Sequence, residues 1–231
     1  MLEVRSSFYS CLVLILLTAG TASAESIRLY PDRDATIIEH PHGEIANGAG
    51  PALFVGRTGQ SVNGVRRALL HFDVTGALPN DAIIEDVSLS LHLTPSNSAQ
   101  SSISMHRVLD DWSEGPSSSA GGGGAAAQPG DVTWLHTNYD VAYWKCVGGH
   151  FVTSASTDAE VGSSDTYTWH GTPRLLADVR LWLHAPDRNF GWLLRGDEDT
   201  PHSVKRFDSR EGVEETFRPV LTIDYREPDQ P

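Results

Sequence analysis

Val87-Ser88-Leu89-Ser90-Leu91-His92-Leu93-Thr94 places apolar side chains at the odd positions and polar ones at the even positions. A period of two belongs to an extended strand with one face on a core and the other in water, and no helix can bury such a pattern on one side. Arg66 to Val74 alternates in the same way, with Ala68, Leu70, Phe72 and Val74 directed inward, and Leu221, Ile223 and Tyr225 repeat it near the end of the chain. Turn signals at His42-Gly43, Asn47-Gly48 and Asn63-Gly64 divide short strands from one another. The pattern predicts an all-β antiparallel sandwich rather than a parallel α/β sheet.

One helix interrupts the strands. Thr172 is placed to cap it, Pro173 occupies the first helical position, and Leu175, Leu176, Val179, Trp182 and Leu183 form a single apolar stripe. A short helix over residues 173–184 is therefore expected to cap one open end of the sandwich. Residues 115–130, rich in Gly, Ser and Ala, have little to bury and read as a mobile loop within one domain. No internal repeat is found.

Residues 1–24 read as a secretory signal: Arg5 gives a weak positive start, Phe8 to Ala19 is apolar, and Ala22-Ser23-Ala24 fits the small-residue cleavage rule. The expected mature chain begins at Glu25 and forms a single domain over residues 25–231, secreted or periplasmic. The apolar stretch Phe8 to Ala19 of the signal is too short to span a bilayer comfortably and no later run approaches the roughly 18–20 apolar residues a spanning helix needs, so no membrane insertion is expected. Phe8-Tyr9-Ser10 ahead of Cys11 does not make a lipoprotein box, and after cleavage Cys146 is the only cysteine, which leaves no intrachain disulfide. The formal charge is −13, and losing Glu3 and Arg5 with the signal does not change it. A field of that sign disfavours nucleic acid and anionic membranes.

Three chemistries are raised by the residue types. Trp112, Trp134, Tyr139, Tyr143 and Trp144 cluster around the Gly-rich loop, where aromatic faces could pack on the C–H face of a sugar ring. The plainer reading makes Trp134 and Trp144 core or corner residues. Asp32 and Asp34 near the first strand and Asp224 on the last could share a structural calcium ion if the terminal strands lie side by side, or simply form a solvated acidic face. Among ten histidines, His71, His92 and His106 fall on outward strand faces without the spacing of a metal motif. For catalysis, Tyr143-Trp144-Lys145 with His136 offers parts of a lyase site, and Asp111 with Glu114 a glycosidase pair, but neither set is complete as a motif.

The end of the chain carries a further signal: Val204 to Phe207, the charged turn Asp208-Ser209-Arg210-Glu211-Gly212, and the closing strand Arg218 to Tyr225. Together with Asp34-Ala35-Thr36-Ile37, the strand Arg67 to Asp73, and Asp111-Trp112-Ser113-Glu114, this order resembles the DNRLRE-type domain. The resemblance implies a jelly-roll-like module without catalytic activity, of a kind carried by secreted glycan-handling proteins. On that footing the expected partner is a cell-wall or environmental polysaccharide, lying on a rim formed by Asp111 to Glu114, the Gly-rich loop and Tyr139 to Trp144. Arg206 and Arg210 would add charge-assisted contacts to a uronate. A small polysaccharide lyase or hydrolase, and a structural envelope protein that binds protein partners, are the alternatives.

Overall fold

The structure, a computed structural model, describes residues 24–95 and 98–228. Residues 1–23, the body of the expected signal, lie outside the described residues. The chain opens with β1 (Glu25–Leu29), β2 (Arg33–Ile38), β3 (Ile45–Asn47), β4 (Ala52–Arg57) and β5 (Val65–His71). The long β6 (Ile83–Leu93) and β7 (Ser101–Arg107) follow, then the short β8 (Ala125–Ala126), β9 (His136–Asn138) and β10 (Ala142–Tyr143). β11 (Thr157–Val161) and β12 (Asp165–Trp169) lead into α1 (Pro173–His184), and β13 (Trp192–Arg195), β14 (Lys205–Asp208) and β15 (Val220–Arg226) complete the fold.

All the pairings are antiparallel; β9 and β10 form a small separate hairpin, and the rest build two layers. In one, β15 lies between β1 and β6, while β12 takes the other edge of β6 and β14 continues the layer to β4. In the other, β5 is flanked by β2 and β13, β3 extends from β2, and β7 and β11 extend from β13. Strand β4 belongs to both layers: Ala52 to Val55 pair with β14, whereas Gly56 and Arg57 pair with β5. The transfer occurs at Gly56, whose φ of 114° is open to glycine and strained for other residues.

The main core lies between the layers. Val87, Leu89, Leu91 and Leu93 of β6 meet Ala68, Leu70, Phe72 and Val74 there, with Leu221, Ile223 and Tyr225 of β15. The expected inward faces are the observed ones. Helix α1 closes this core beside β6, with Thr172 accepting a hydrogen bond from Leu175 N and Pro173 at the helix start. Its buried Leu175, Val179, Trp182 and Leu183 each contribute roughly 1.5–3 kcal/mol, against about 1 kcal/mol for the cap. Packing therefore fixes the helix, and the cap sets where it begins.

A second core lies on the other side of the β2/β5/β13 layer. Ala35, Ile37, Leu69 and Leu193 point outward from that layer, and Val108, Trp112, Val132 and Trp144 cover them. The excursion between β7 and β11 thus forms a lid over a sheet face. Residues 115–130, expected to be a mobile loop, are tied into this lid. Asp131 accepts from Ser117 N at 3.0 Å and from Gln128 N, Ser119 N donates to Asn47 Oδ1 at 2.8 Å, and Ala125 and Ala126 pair with β3. A segment poor in apolar side chains is held here by polar groups contributed by its neighbours, which its own composition does not reveal.

Candidate functional site

Three distant segments meet at Asp34. Strand β2 carries Asp34, the segment after β7 brings Glu114, and the turn after β14 brings Ser209, Arg210 and Glu211. One oxygen from each of the Asp34, Glu114 and Glu211 carboxyl groups lies within 4.8 Å of the other two. Arg210 N donates to Asp34 Oδ2 at 2.7 Å, and Asp34 N donates to Glu114 Oε1 at 2.8 Å. The Arg210 guanidinium spans both Glu114 oxygens at 3.0 and 2.8 Å, and its Nε is 3.4 Å from Glu211 Oε1. Asp34 is completely buried, and its Oδ1 has no hydrogen-bond partner. Burial, then the negative charge of Glu211, push the Asp34 carboxyl well above its ordinary range despite the Arg210 N–H. Burial and the charge of Glu114 raise Glu211 as well.

The expected calcium ligands are not brought together. Leu29 ends β1 opposite Leu221 in one layer, and after a short crossing Arg33 starts β2 opposite His71 in the other. Asp34 and Asp224 are thereby placed in different layers, since Asp224 lies on β15 opposite Ser26 and Asp86. Asp32 sits in the crossing, where its Oδ1 is 2.6 Å from His71 Nδ1. Asp34 alone of the expected three belongs to the acidic cluster, and its companions are Glu114 and Glu211.

The aromatic rim is divided as well. Trp112 and Trp144 are buried in the second core, their indole N–H groups donating to Phe190 O at 2.9 Å and Thr133 O at 3.0 Å. They are structural because Ala35, Ile37, Leu69 and Leu193 need a cover. Trp134 packs partly buried under Arg67, whose guanidinium carbon is 4.8 Å from the ring centre. Tyr143 alone is broadly exposed, at 66%; it leans on His136 with ring centres 4.3 Å apart, and Tyr139 meets the same imidazole at 5.2 Å. Burial holds the His136 pKa below its ordinary value. Glu114 and Arg210 are engaged with each other rather than presented to a rim. Arg206 is half-buried on β14, paired across to Phe54.

The three histidines are separated, each with a partner of its own: His71 with Asp32, His92 Nδ1 with Asp208 Oδ2 at 2.7 Å, and His106 with Val152 O at 2.9 Å. His92 belongs to a site that the rim reading misses. On the outer face of the β1/β15/β6/β12 layer, a cavity of about 230 Å³ is lined by Arg28, Ser90, His92, Thr166, Phe217, Arg218 and Thr222, among others. Phe217 is 39% exposed and lies flat on His92, with ring centres 3.8 Å apart and planes within 9°. Arg218 is positioned by Gly212 O, which accepts from its Nε at 3.0 Å, and is 3.7 Å from the exposed Glu215. The polar half of the β6 alternation, which marks a solvent face in sequence, supplies the floor of this groove.

No helix among the described residues is long and apolar enough to cross a membrane. Compared with known proteins, the chain matches no family model and no curated protein.

Proposed function

We propose that this chain is an exported, non-catalytic carbohydrate-binding β-sandwich that holds an acidic polysaccharide in the groove between Arg28 and Arg218. The observation that carries the reading is the composition of that groove: an exposed aromatic ring beside two guanidinium groups, over a floor of hydroxyls. Sugar C–H faces pack on aromatic rings, hydroxyl floors exchange hydrogen bonds with sugar hydroxyls, and guanidinium forks suit carboxylates. The guanidiniums also let a chain of net charge −13 attract a uronate locally, where the distant field is screened within about 10 Å. The likeness of the closing turn and strand to DNRLRE-type domains supports the same class of ligand, and the secretory signal read at residues 1–24 supports a secreted or periplasmic setting.

A catalytic use of the groove is the second reading, favoured by the His92–Asp208 pair beside two cations. A base with a neighbouring carboxylate neutraliser is the minimum that proton abstraction from a uronate requires. Affinity electrophoresis in gels containing a polyuronate or a neutral β-glucan tests the proposal, with the same mixtures assayed for new reducing ends and unsaturated products. Retention by the polyuronate is expected, weakened about tenfold or more in Phe217→Ala and Arg28→Ala and unchanged in Tyr143→Ala, a tenfold loss corresponding to about 1.4 kcal/mol. Loss in Tyr143→Ala alone would move the site to the β9/β10 hairpin, and product release abolished by His92→Ala would replace binding with catalysis. Absence of retention on every glycan would overturn the reading.

A further inference from the structure

The Asp34 cluster has an arrangement that hydrogen bonding within the protein leaves incomplete. An ionised carboxylate has about four acceptor positions. Glu114 Oε1 uses two of its own on Asp34 N and Arg210, whereas Oε2 has one bond, to Arg210. Asp34 Oδ2 accepts from Arg210 N, and Asp34 Oδ1, fully enclosed, accepts from nothing. Glu211 meets Arg210 Nε and Ser209 Oγ only at 3.4 Å. A buried carboxylate oxygen without a donor bears its full desolvation cost. Three carboxyl groups therefore face one guanidinium, with acceptor positions left over on each of them.

We infer that Asp34, Glu114 and Glu211 form a divalent cation site selective for calcium, with Asp34 Oδ1 as its buried ligand. The donor set consists entirely of carboxylate oxygens, which suits a hard cation. A cage of protein carboxylates favours calcium over magnesium. Calcium accepts flexible shells of about six to eight oxygens, whereas magnesium demands near-ideal octahedral geometry and usually keeps several waters rather than entering an all-protein cage, and three carboxyl groups converge here, one oxygen from each within 4.8 Å of the others. Glu211 and Glu114 are only partly buried, so an ion and its waters can reach the cluster from solvent. Such an ion would join β2, the lid segment after β7 and the turn after β14. Cys146 is a free thiol, so the described residues hold no covalent link that could do this instead.

The inference is independent of the glycan reading and is tested without glycan. Full-length protein is dialysed against EDTA, transferred to chelator-free buffer, and titrated calorimetrically with calcium chloride or magnesium chloride, with thermal melts alongside. Calcium at about 100-fold above its Kd is expected to raise Tm by roughly 5–10 °C, and magnesium by much less. Glu211→Gln, at a partly exposed position where folding should survive, and Asp34→Asn are expected to lose the calcium heat and the shift in Tm. Asp224→Asn, on the acidic edge formed with Glu25, Glu85 and Asp86, is expected to keep both. Parent protein with no calcium heat and an unchanged Tm would show that Arg210 alone holds the cluster. A shift kept by Glu211→Gln and lost by Asp224→Asn would place the ion at the β1/β15 edge, and an equal response to magnesium would remove the selectivity.

Discussion

Asp178, on α1, accepts from Trp192 Nε1 at 3.0 Å, is 2.8 Å from Arg107 Nε, and takes the Ser156 hydroxyl. It lies three residues after Leu175 and four before Trp182, so the helical period places it at the edge of the apolar stripe, while its residue type alone would suggest a solvent-facing acid. Glu211 is hidden in a similar way, as one charge among several in a turn, because its partners come from distant segments. The two tryptophans of the second core show the converse. Their aromatic character suggests a ligand surface, yet each is enclosed and has its indole N–H satisfied. Trp112→Ala and Trp144→Ala are each expected to cost about 3–5 kcal/mol of stability, as large-to-small core changes do. Denaturant unfolding checks this, and a change below about 1 kcal/mol with loss of glycan retention would return these residues to a binding role.

At the scale of elements, the strands that alternate are legible in the sequence, and those that do not alternate hold a further signal. The β6 and β15 alternation identifies one covered face and one wet face, as observed. In Ile37-Ile38, Ala68-Leu69-Leu70 and Leu193-Leu194 apolar residues follow one another without alternation, which is the mark of a strand buried on both faces. That signal implies a cover for the β2/β5/β13 layer, and Trp112 and Trp144 supply it with Val108 and Val132. The helix was legible to its ends because cap, proline and stripe agree. Strand β13 has a condition visible only in three dimensions: Gly191, with φ of 75°, turns the chain in between β5 and β7, and a Cβ there would meet Leu70 O at 2.0 Å. Gly191→Ala combines an unfavourable φ with a backbone clash, so a loss of roughly 2 kcal/mol or more is expected. A Tm within a degree of the parent would show that the strand can shift to admit a methyl group.

For the whole molecule, charge ties the layers and the lid together, and its response to acid can be given a sign. His106 on β7 is buried against Val152 and faces Arg195, Arg67 and Glu198. Burial, then the two guanidiniums, outweigh the Val152 carbonyl and Glu198 and hold its pKa below the ordinary 6.5. Burial pushes Glu198 up, but Arg67, bonded to both its oxygens, and Arg195 more than reverse this and leave it below 4.5. Both folded pKa values are depressed, so the unfolded chain binds protons first as the medium is acidified. The stability contributed by each is present above its unfolded value and lost as pH falls through its folded value. Acid therefore acts in two stages, beginning below pH 6.5 with His106 and His136 and continuing below about 4.5 with Glu198. Asp34 and Glu211 have raised values and the opposite sign, their contribution falling as pH rises, so the comparison is made between variants rather than on the parent alone. In His106→Gln the slope of unfolding free energy between pH 7 and pH 5 should be shallower than in the parent, while the loss below about 4.5, to which Glu198 contributes with Asp73, Asp110 and Asp197, remains. Equal slopes in urea titrations across that range would mean that His106 takes up its proton as readily in the fold as in the unfolded chain.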